Sequence, residues 1–458
     1  MLRRLALPRR GPHRRLGVDE QLLPLPAGFA WGAATADQQI ERQQPSDWTA
    51  FEERALREGR GIAGLAQGGR WLAHKADFDR HVADDLARAA DMGHTAHRFS
   101  MSWARLFPRE GMSAPEPAAL DFYGRVLDEL ARRQLTPFVT LFHFASPAWL
   151  WRPSGRDGRR GVERSDAPEQ LALLARCLVE AFGDRVRHWC TINEPVVLAY
   201  LGYLEGVFPP NEKRGGPLAA DGVLAALLRM HEAAAGALRA ASARRGAPVA
   251  VGIAQHARTF LPWRNHAPLD RVMAAVVERL FVRRFLERAM PTCDYVGLNE
   301  YGRAYLETDV RRPWAYQLRH ADPADPDDDP SELGWAPDEH AFEERLVALA
   351  RRYAKPIYVL ENGTAEAAVN DLRRQRQLVR HAQAMARAVR RGADVRGYFH
   401  WSLVDNFEWA EGFGPRFGLY AVDYEAGCAR AARGSVEVFR RITGANAVPP
   451  ELWARLGR

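Results

Sequence analysis

Lysine is nearly missing from this chain: among 458 residues it occurs only as Lys75, Lys213 and Lys355. Arginine supplies almost all of the positive charge behind a formal net charge of +7, and it is spread along the whole length. That pattern reads as a compositional preference rather than the clustered basic face of a nucleic-acid binder, so no nucleic-acid partner is expected. Cysteine is scarce too. Cys177, Cys190, Cys293 and Cys428 stand far apart with no C-x-x-C pair, which argues against a disulfide framework and a thiolate zinc site. No run of about 18 apolar residues could cross a bilayer. Leu5-Ala6-Leu7 is too short for the apolar region of a secretory signal. A cytoplasmic protein without a membrane partner is the expectation.

What remains is ordinary globular material, 47% hydrophobic and 26% charged. Residues 1–20 carry Arg3, Arg4, Arg9, Arg10, Arg14 and Arg15 around Pro8 and Pro12, and are expected to form a disordered basic tail. From residue 21 to 458, short apolar or β-branched runs alternate with longer amphipathic ones. Strands are expected at Phe29–Ala34, Thr95–Ser100, Pro137–His143, His188–Asn193, Val249–Ala254, Asp294–Asn299, Pro356–Glu361 and Arg396–Trp401. Helical spacing marks Asp84–Ala90, Ala119–Arg132, Pro168–Ala181, Gly222–Ala241, Ala341–Tyr353 and Leu372–Arg391.

Eight strand-then-helix units are what a closed (β/α)8 TIM barrel requires, so the fold class is α/β and residues 21–458 are expected to form one barrel. The stretches Glu41–Trp71, Val207–Pro217 and Ala304–Pro337 follow candidate strands and are rich in Pro, Gly and charge. They are expected to be long βα loops that build a cleft at the C-terminal face.

Polar residues gather at the C-terminal ends of these strands: Arg98, His143, Asn193-Glu194, Asn299, Glu361 and Trp401. Glu194 follows the fourth strand and Glu361 ends the seventh, two strands expected to face each other across the barrel. Two carboxylates flanking a cleft suit acetal hydrolysis, with one group giving a proton to the leaving oxygen and the other attacking the anomeric carbon. A lone Glu after a strand is more often a cap or an ion-pair partner, so the neighbouring residues have to decide. His94 and His97 could be read as metal ligands, but their spacing lacks partner carboxylates. No metal and no cofactor is expected.

The neighbouring residues resemble glycoside hydrolase family 1, the β-glucosidases and their relatives, from Phe29 to Phe439. Thr191-Ile192-Asn193-Glu194-Pro195 is similar to that family's acid/base motif and Leu360-Glu361-Asn362-Gly363 to its nucleophile motif. Trp31–Ala36 with Gln39, Arg98-Phe99-Ser100 and Trp401–Trp409 match further family segments. The resemblance implies a retaining β-glycosidase acting on terminal β-D-glucosides, with β-galactosides and β-fucosides as further substrates. By the same resemblance Glu194 would be the acid/base and Glu361 the nucleophile. Gln39, His143, Asn193, Glu408 and Trp409 would hold the sugar over Trp401, Trp335 would be a platform for the leaving group, and Arg98, Asn299 and Tyr301 would assist.

On chemical grounds Arg98 should keep Glu361 ionised, while Glu194 needs a proton retained near neutrality by the charge of Glu361. His143 is followed by Phe144 and Ala145 where the family usually has Trp and Asp. Asp37, Gln38, Arg42 and Glu300 also depart from its pattern, which bears on substrate preference. Glu408-Trp409 argues against a 6-phosphorylated sugar, and Glu194 argues for O-glycosides rather than thioglycosides. A transglycosidase on the same barrel, and a sugar-binding barrel without catalysis, are the alternatives; the latter would typically have lost one carboxylate.

Overall fold

The computed structural model describes residues 22–457 except 60–61, 63–64, 66–68, 155–157, 310 and 326–327. The basic stretch 1–20 therefore lies outside the described residues. Eight parallel strands close into a barrel: β1 (Ala30–Ala34), β2 (Ala96–Ser100), β3 (Thr136–Phe142), β4 (His188–Asn193), β5 (Ala250–His256), β6 (Val296–Glu300), β7 (Ile357–Asn362) and β8 (Val395–Trp401). Their order around the ring is β1-β8-β7-β6-β5-β4-β3-β2. All eight expected strands are present, each close to its expected span. Because a parallel sheet is covered on both faces, even the strands that carry polar residues, such as β2 (Ala96-His97-Arg98-Phe99-Ser100), are buried, and Ile192, Val251, Ile253, Leu298, Val359 and Phe399 are all buried. Near the N-terminal ends of the strands the interior is filled by rings, with Phe138 stacked on His188 at 4.1 Å and against Phe399 at 4.7 Å.

The helices between strands also follow the expected pattern, at Phe78–Asp91, Pro117–Arg132, Ala167–Phe182, Asp221–Arg245, Glu339–Tyr353 and Leu372–Arg390. Pro117 and Pro168 sit in the first turns, where a missing N–H costs nothing.

The ring order corrects one expectation. β4 and β7 are not diametrically opposed: β5 and β6 separate them on one side and four strands on the other. The strand opposite β4 is β8, which carries Trp401. The expected loops are also more regular than foreseen. Within Glu41–Trp71 lies a helix, Asp47–Glu58, opened by Ser46 accepting from the Thr49 N–H and closed by Gly59 at φ 66°.

The Ala304–Pro337 stretch contains an antiparallel pair, Arg303–Asp309 with Arg312–Arg319, which Thr259–Pro262 joins as a third strand. A separate cluster of Ala274, Val277 and Leu306 ties this sheet to the helix Pro268–Val277. Among the described residues no helix is long and apolar enough to cross a membrane.

Candidate active site

The register of the barrel places Ala34 beside both Arg98 and Trp401, and Glu361 beside Asn299, so five strand ends share one rim. Arg98 is buried at the end of β2 and works in several directions. Its Nη1 donates to Glu361 Oε1 and to the Leu360 carbonyl, and its Nη2 donates to Asn193 Oδ1 at 2.8 Å. The Tyr301 hydroxyl donates to the other Glu361 oxygen at 2.7 Å. Asn299 Nδ2 then donates to Asn193 Oδ1 at 3.1 Å and to Glu194 Oε1 at 2.9 Å. The two carboxyls are thus joined by one chain of hydrogen bonds, Glu361–Arg98–Asn193–Asn299–Glu194.

Glu194 itself has a left-handed backbone, φ 44° and ψ 58°, as the residue that opens the helix Pro195–Tyr203. A side chain other than glycine in that region is strained, and such strain is concentrated where a side chain must be aimed. Pro195 follows without loss because the first helical turn has spare N–H groups. Gly363 has a steric reason too: a Cβ there would run into the Trp401 carbonyl oxygen.

A cavity of about 410 Å³ opens over these groups and is lined by Glu194, Glu361, His143, Asn193, Tyr301, Trp335, Trp401, Glu408 and Trp409, among others. His143 lies nearly parallel to Trp401 and to Trp409, with ring centres 5.9 and 6.0 Å away. Trp409 is backed by Trp48 at 4.6 Å and Phe144 at 5.2 Å, so the residues after His143 form an apolar wall behind the tryptophan. Gln39 donates to Asn406 Oδ1, the Phe407 carbonyl and, at 3.4 Å, Glu408 Oε2. Gln39 Oε1, His143 Nδ1, Asn193 Nδ2 and Asn299 Oδ1 are buried with no protein partner. Of these, His143 and Asn193 line the cavity, where a ligand could complete their hydrogen bonds.

Arg98 favours the ionised form of Glu361, as expected, but burial opposes it. Burial pushes its carboxyl up, to about 7, and the charge of Glu194 adds to this, while Arg98 and Tyr301 pull it back. One guanidinium does not offset the removal of the carboxylate from water. Glu408 is pushed up to about 8, by burial first and then by the negative charge of Glu361. His143 is held well below its ordinary range by burial and by Arg98, and is neutral.

Glu408 carries a stability consequence. A carboxyl raised in the folded state leaves stability intact below its ordinary value and removes it as pH rises through the folded value, because only the unfolded chain then ionises freely. Between about pH 5 and pH 8 the melting temperature should therefore fall, and Glu408→Gln should fall less and melt higher than wild type at the alkaline end. Equal slopes in wild type and variant by differential scanning fluorimetry would contradict this.

Some positions that depart from the family pattern prove to lie behind the site rather than in it. Asp37 bonds Ser100, Gln38 bonds Ser46 and Glu52, and Arg42 pairs with Asp77 at 2.9 Å. None of the three lines the cavity, so any bearing they have on substrate preference is through the residues they hold. Glu300 is buried beside Asn362, whose Nδ2 donates to it at 3.0 Å, and it accepts the Gly302 N–H. His94 and His97 are buried and neutral, pushed by burial to about 3 and about 4. No cluster of three metal-ligating side chains occurs among the described residues.

Two residues escaped the sequence reading. His256 Nδ1 lies 3.3 Å from Glu194 Oε1, and Arg258 sits 4.8 Å from the centre of the Trp335 ring. β5 runs two residues beyond its expected end at Ala254, and the polar turn from Gln255 to His256 hid the continuation. The signal available was the position itself: a histidine at the end of a barrel strand.

The chain matches the Glycosyl hydrolase family 1 profile over residues 22–295 and 286–448. It is 30% identical to a 1,4-beta-D-glucan glucohydrolase of Thermotoga neapolitana, covering 87% of this chain and 98% of that protein. It is 32% identical to a bifunctional beta-D-glucosidase/beta-D-fucosidase of Bifidobacterium breve, over 91% and 97% of the two chains. Among solved structures, a beta-glycosidase from Pyrococcus horikoshii superposes with a TM-score of 0.82 at 30% identity, covering 96% of this chain and 99% of that one. The family 1 β-glucosidase of Thermotoga maritima gives a TM-score of 0.81 at 26% identity, over 93% and 99%. With matches across nearly the whole described chain and a rim that carries both carboxyls, the protein belongs to glycosyl hydrolase family 1 and is a retaining β-glycosidase.

Proposed function

We propose that the protein hydrolyses terminal, non-reducing β-D-glucosides, with β-galactosides and β-fucosides as further substrates, using Glu361 as nucleophile and Glu194 as acid/base. The observation that carries this reading is the hydrogen-bonded chain from Glu361 through Arg98, Asn193 and Asn299 to Glu194, which fixes two carboxyls at one cavity.

In the first step a Glu361 oxygen bonds to the anomeric carbon as the bond from that carbon to the aglycone oxygen breaks, and the proton on Glu194 goes to the departing oxygen. Arg98 and Tyr301 aim the attacking carboxylate. In the second step water attacks the same carbon, Glu194 takes its proton, and the ester bond to Glu361 breaks. Asn193 uses its oxygen to accept from Arg98 and Asn299, which turns its unpaired Nδ2 outward, suited to the sugar 2-hydroxyl. Gln39 and Glu408 supply polar atoms for other hydroxyls, and the indole of Trp401 suits an apolar sugar face.

The test is release of nitrophenol from nitrophenyl β-glucoside, β-galactoside, β-fucoside and 6-phospho-β-glucoside. Hydrolysis of the unphosphorylated sugars with little action on the phosphorylated one is expected, because Glu408 would repel or fail to pair with the phosphate. A preference for the 6-phosphate would overturn the assignment of Glu408. No hydrolysis of any of them by folded protein would overturn the substrate class.

A further inference from the structure

Past Trp335, the outer half of the cavity is walled by the helix after β4 and by the small three-stranded sheet. The helix contributes Val197, Tyr200 and Leu201, the sheet contributes Phe260 and Leu318, and Phe281 closes the space between them. Phe281 packs edge-on against both Tyr200 and Phe260, at 5.2 and 5.9 Å, so the two walls are one apolar surface. Tyr316 and Leu318 line the same cavity and still leave 43% and 42% of their surface exposed. Two residues apart on one strand, they extend the apolar lining of the cavity to its mouth.

The polar groups of this half are few, and the hydroxyls of Tyr200 and Tyr316 are among them. His256 is at Glu194, Arg258 lies over Trp335 with its Nη1 2.7 Å from His320 Nδ1, and Glu205 is the one further carboxylate on the lining. A second sugar ring here would have to give up hydration of several hydroxyls against phenylalanine, leucine and valine, which costs free energy for every hydroxyl left unpaired. A hydrocarbon would gain it.

We infer that the leaving-group subsite is built for a large apolar aglycone, an extended alkyl or fused-ring alcohol, in preference to a second sugar. The inference rests on the reading of the protein as a β-glucosidase with Glu194 and Glu361 at the scissile bond. The wall that selects the aglycone comes largely from the Thr259–Pro262, Arg303–Asp309 and Arg312–Arg319 sheet and its neighbouring helix, an insertion on the barrel.

The test is kcat/KM for a series of straight-chain alkyl β-glucosides from ethyl to octyl, kept below micelle-forming concentrations, with cellobiose alongside. All the alkyl leaving groups have nearly the same basicity, so differences along the series report binding of the chain rather than bond breaking. Each methylene that enters the apolar wall should raise kcat/KM roughly two- to fourfold, so octyl, six methylenes longer, should exceed ethyl by at least about sixtyfold and should also exceed cellobiose.

Leu318→Asn and Tyr316→Ser change half-exposed positions that the fold tolerates, and each should cut the octyl-to-ethyl ratio several-fold. A flat series, or cellobiose turned over faster than octyl glucoside, overturns the apolar subsite and leaves the β-glucosidase reading standing. Failure to hydrolyse any member of the series, or cellobiose, overturns the β-glucosidase reading and this inference with it.

Discussion

Glu361→Gln should lower kcat on β-glucosides by at least about 10⁴-fold. The amide keeps the shape of the side chain but is a far poorer nucleophile, and among the described residues no other carboxyl accepts from both Arg98 and Tyr301. The substitution has two opposing effects on stability. It removes a carboxylate that burial disfavours, and it leaves the buried Arg98 without its anionic partner, a loss of the kind that costs about 3–5 kcal/mol when nothing else compensates. Arg98 still donates to the Leu360 carbonyl, Asn193 and Thr140, so the variant should fold with a lowered melting temperature. Stopped turnover in a protein with a cooperative melting transition is the expected pair of results. Turnover within tenfold of wild type would remove Glu361 from the chemistry.

Glu194→Ala should separate substrates by their leaving groups. General-acid assistance contributes about 10²–10⁴-fold when the departing oxygen is strongly basic and little when it is not. Alkyl β-glucosides should therefore lose at least about a hundredfold in kcat/KM, whereas dinitrophenyl β-glucoside should lose far less. On that activated substrate the second step should become limiting, because no base is left to take the proton from water. Added azide, which needs no such base, should restore turnover and release a glucosyl azide of β configuration. Equal losses on both leaving-group types, with no response to azide, would mean that Glu194 only supports the site.

How far the sequence reached can be seen at particular residues. The barrel strands were legible because a strand covered on both faces must be apolar nearly throughout, and such runs stand out in a chain so rich in arginine. The rim residues Arg98, Asn193, Glu194, Asn299 and Glu361 were legible because their positions follow from where those runs end. His256 was not, since β5 turns polar before it finishes and the pattern stops at Ala254.

The Arg303–Asp309 and Arg312–Arg319 strands were hidden for a different reason. Arg, Glu, Gln and Asp interrupt their alternation, and what makes them strands is pairing with each other and with Thr259–Pro262, together with the packing of Leu306 on Ala274 and Val277. The opposing push on Glu361 was not legible, because a sequence names the arginine beside a carboxylate but not the depth at which both are buried. That Asp37, Gln38 and Arg42 lie behind the cavity was not legible, because adjacency to a motif does not say which way a side chain turns.

The central claim is that Glu361 forms the covalent bond to the sugar. It is tested most directly by incubating wild type and Glu361→Gln with 2-deoxy-2-fluoro-β-glucosyl fluoride, whose good leaving group and slowed second step trap the intermediate, and mapping the adduct by peptide mass spectrometry. The account predicts one fluoroglucosyl group per wild-type chain, on the peptide that carries Glu361, and none on the variant. An adduct on any other residue, or wild-type protein that turns the compound over with no adduct forming, would contradict it.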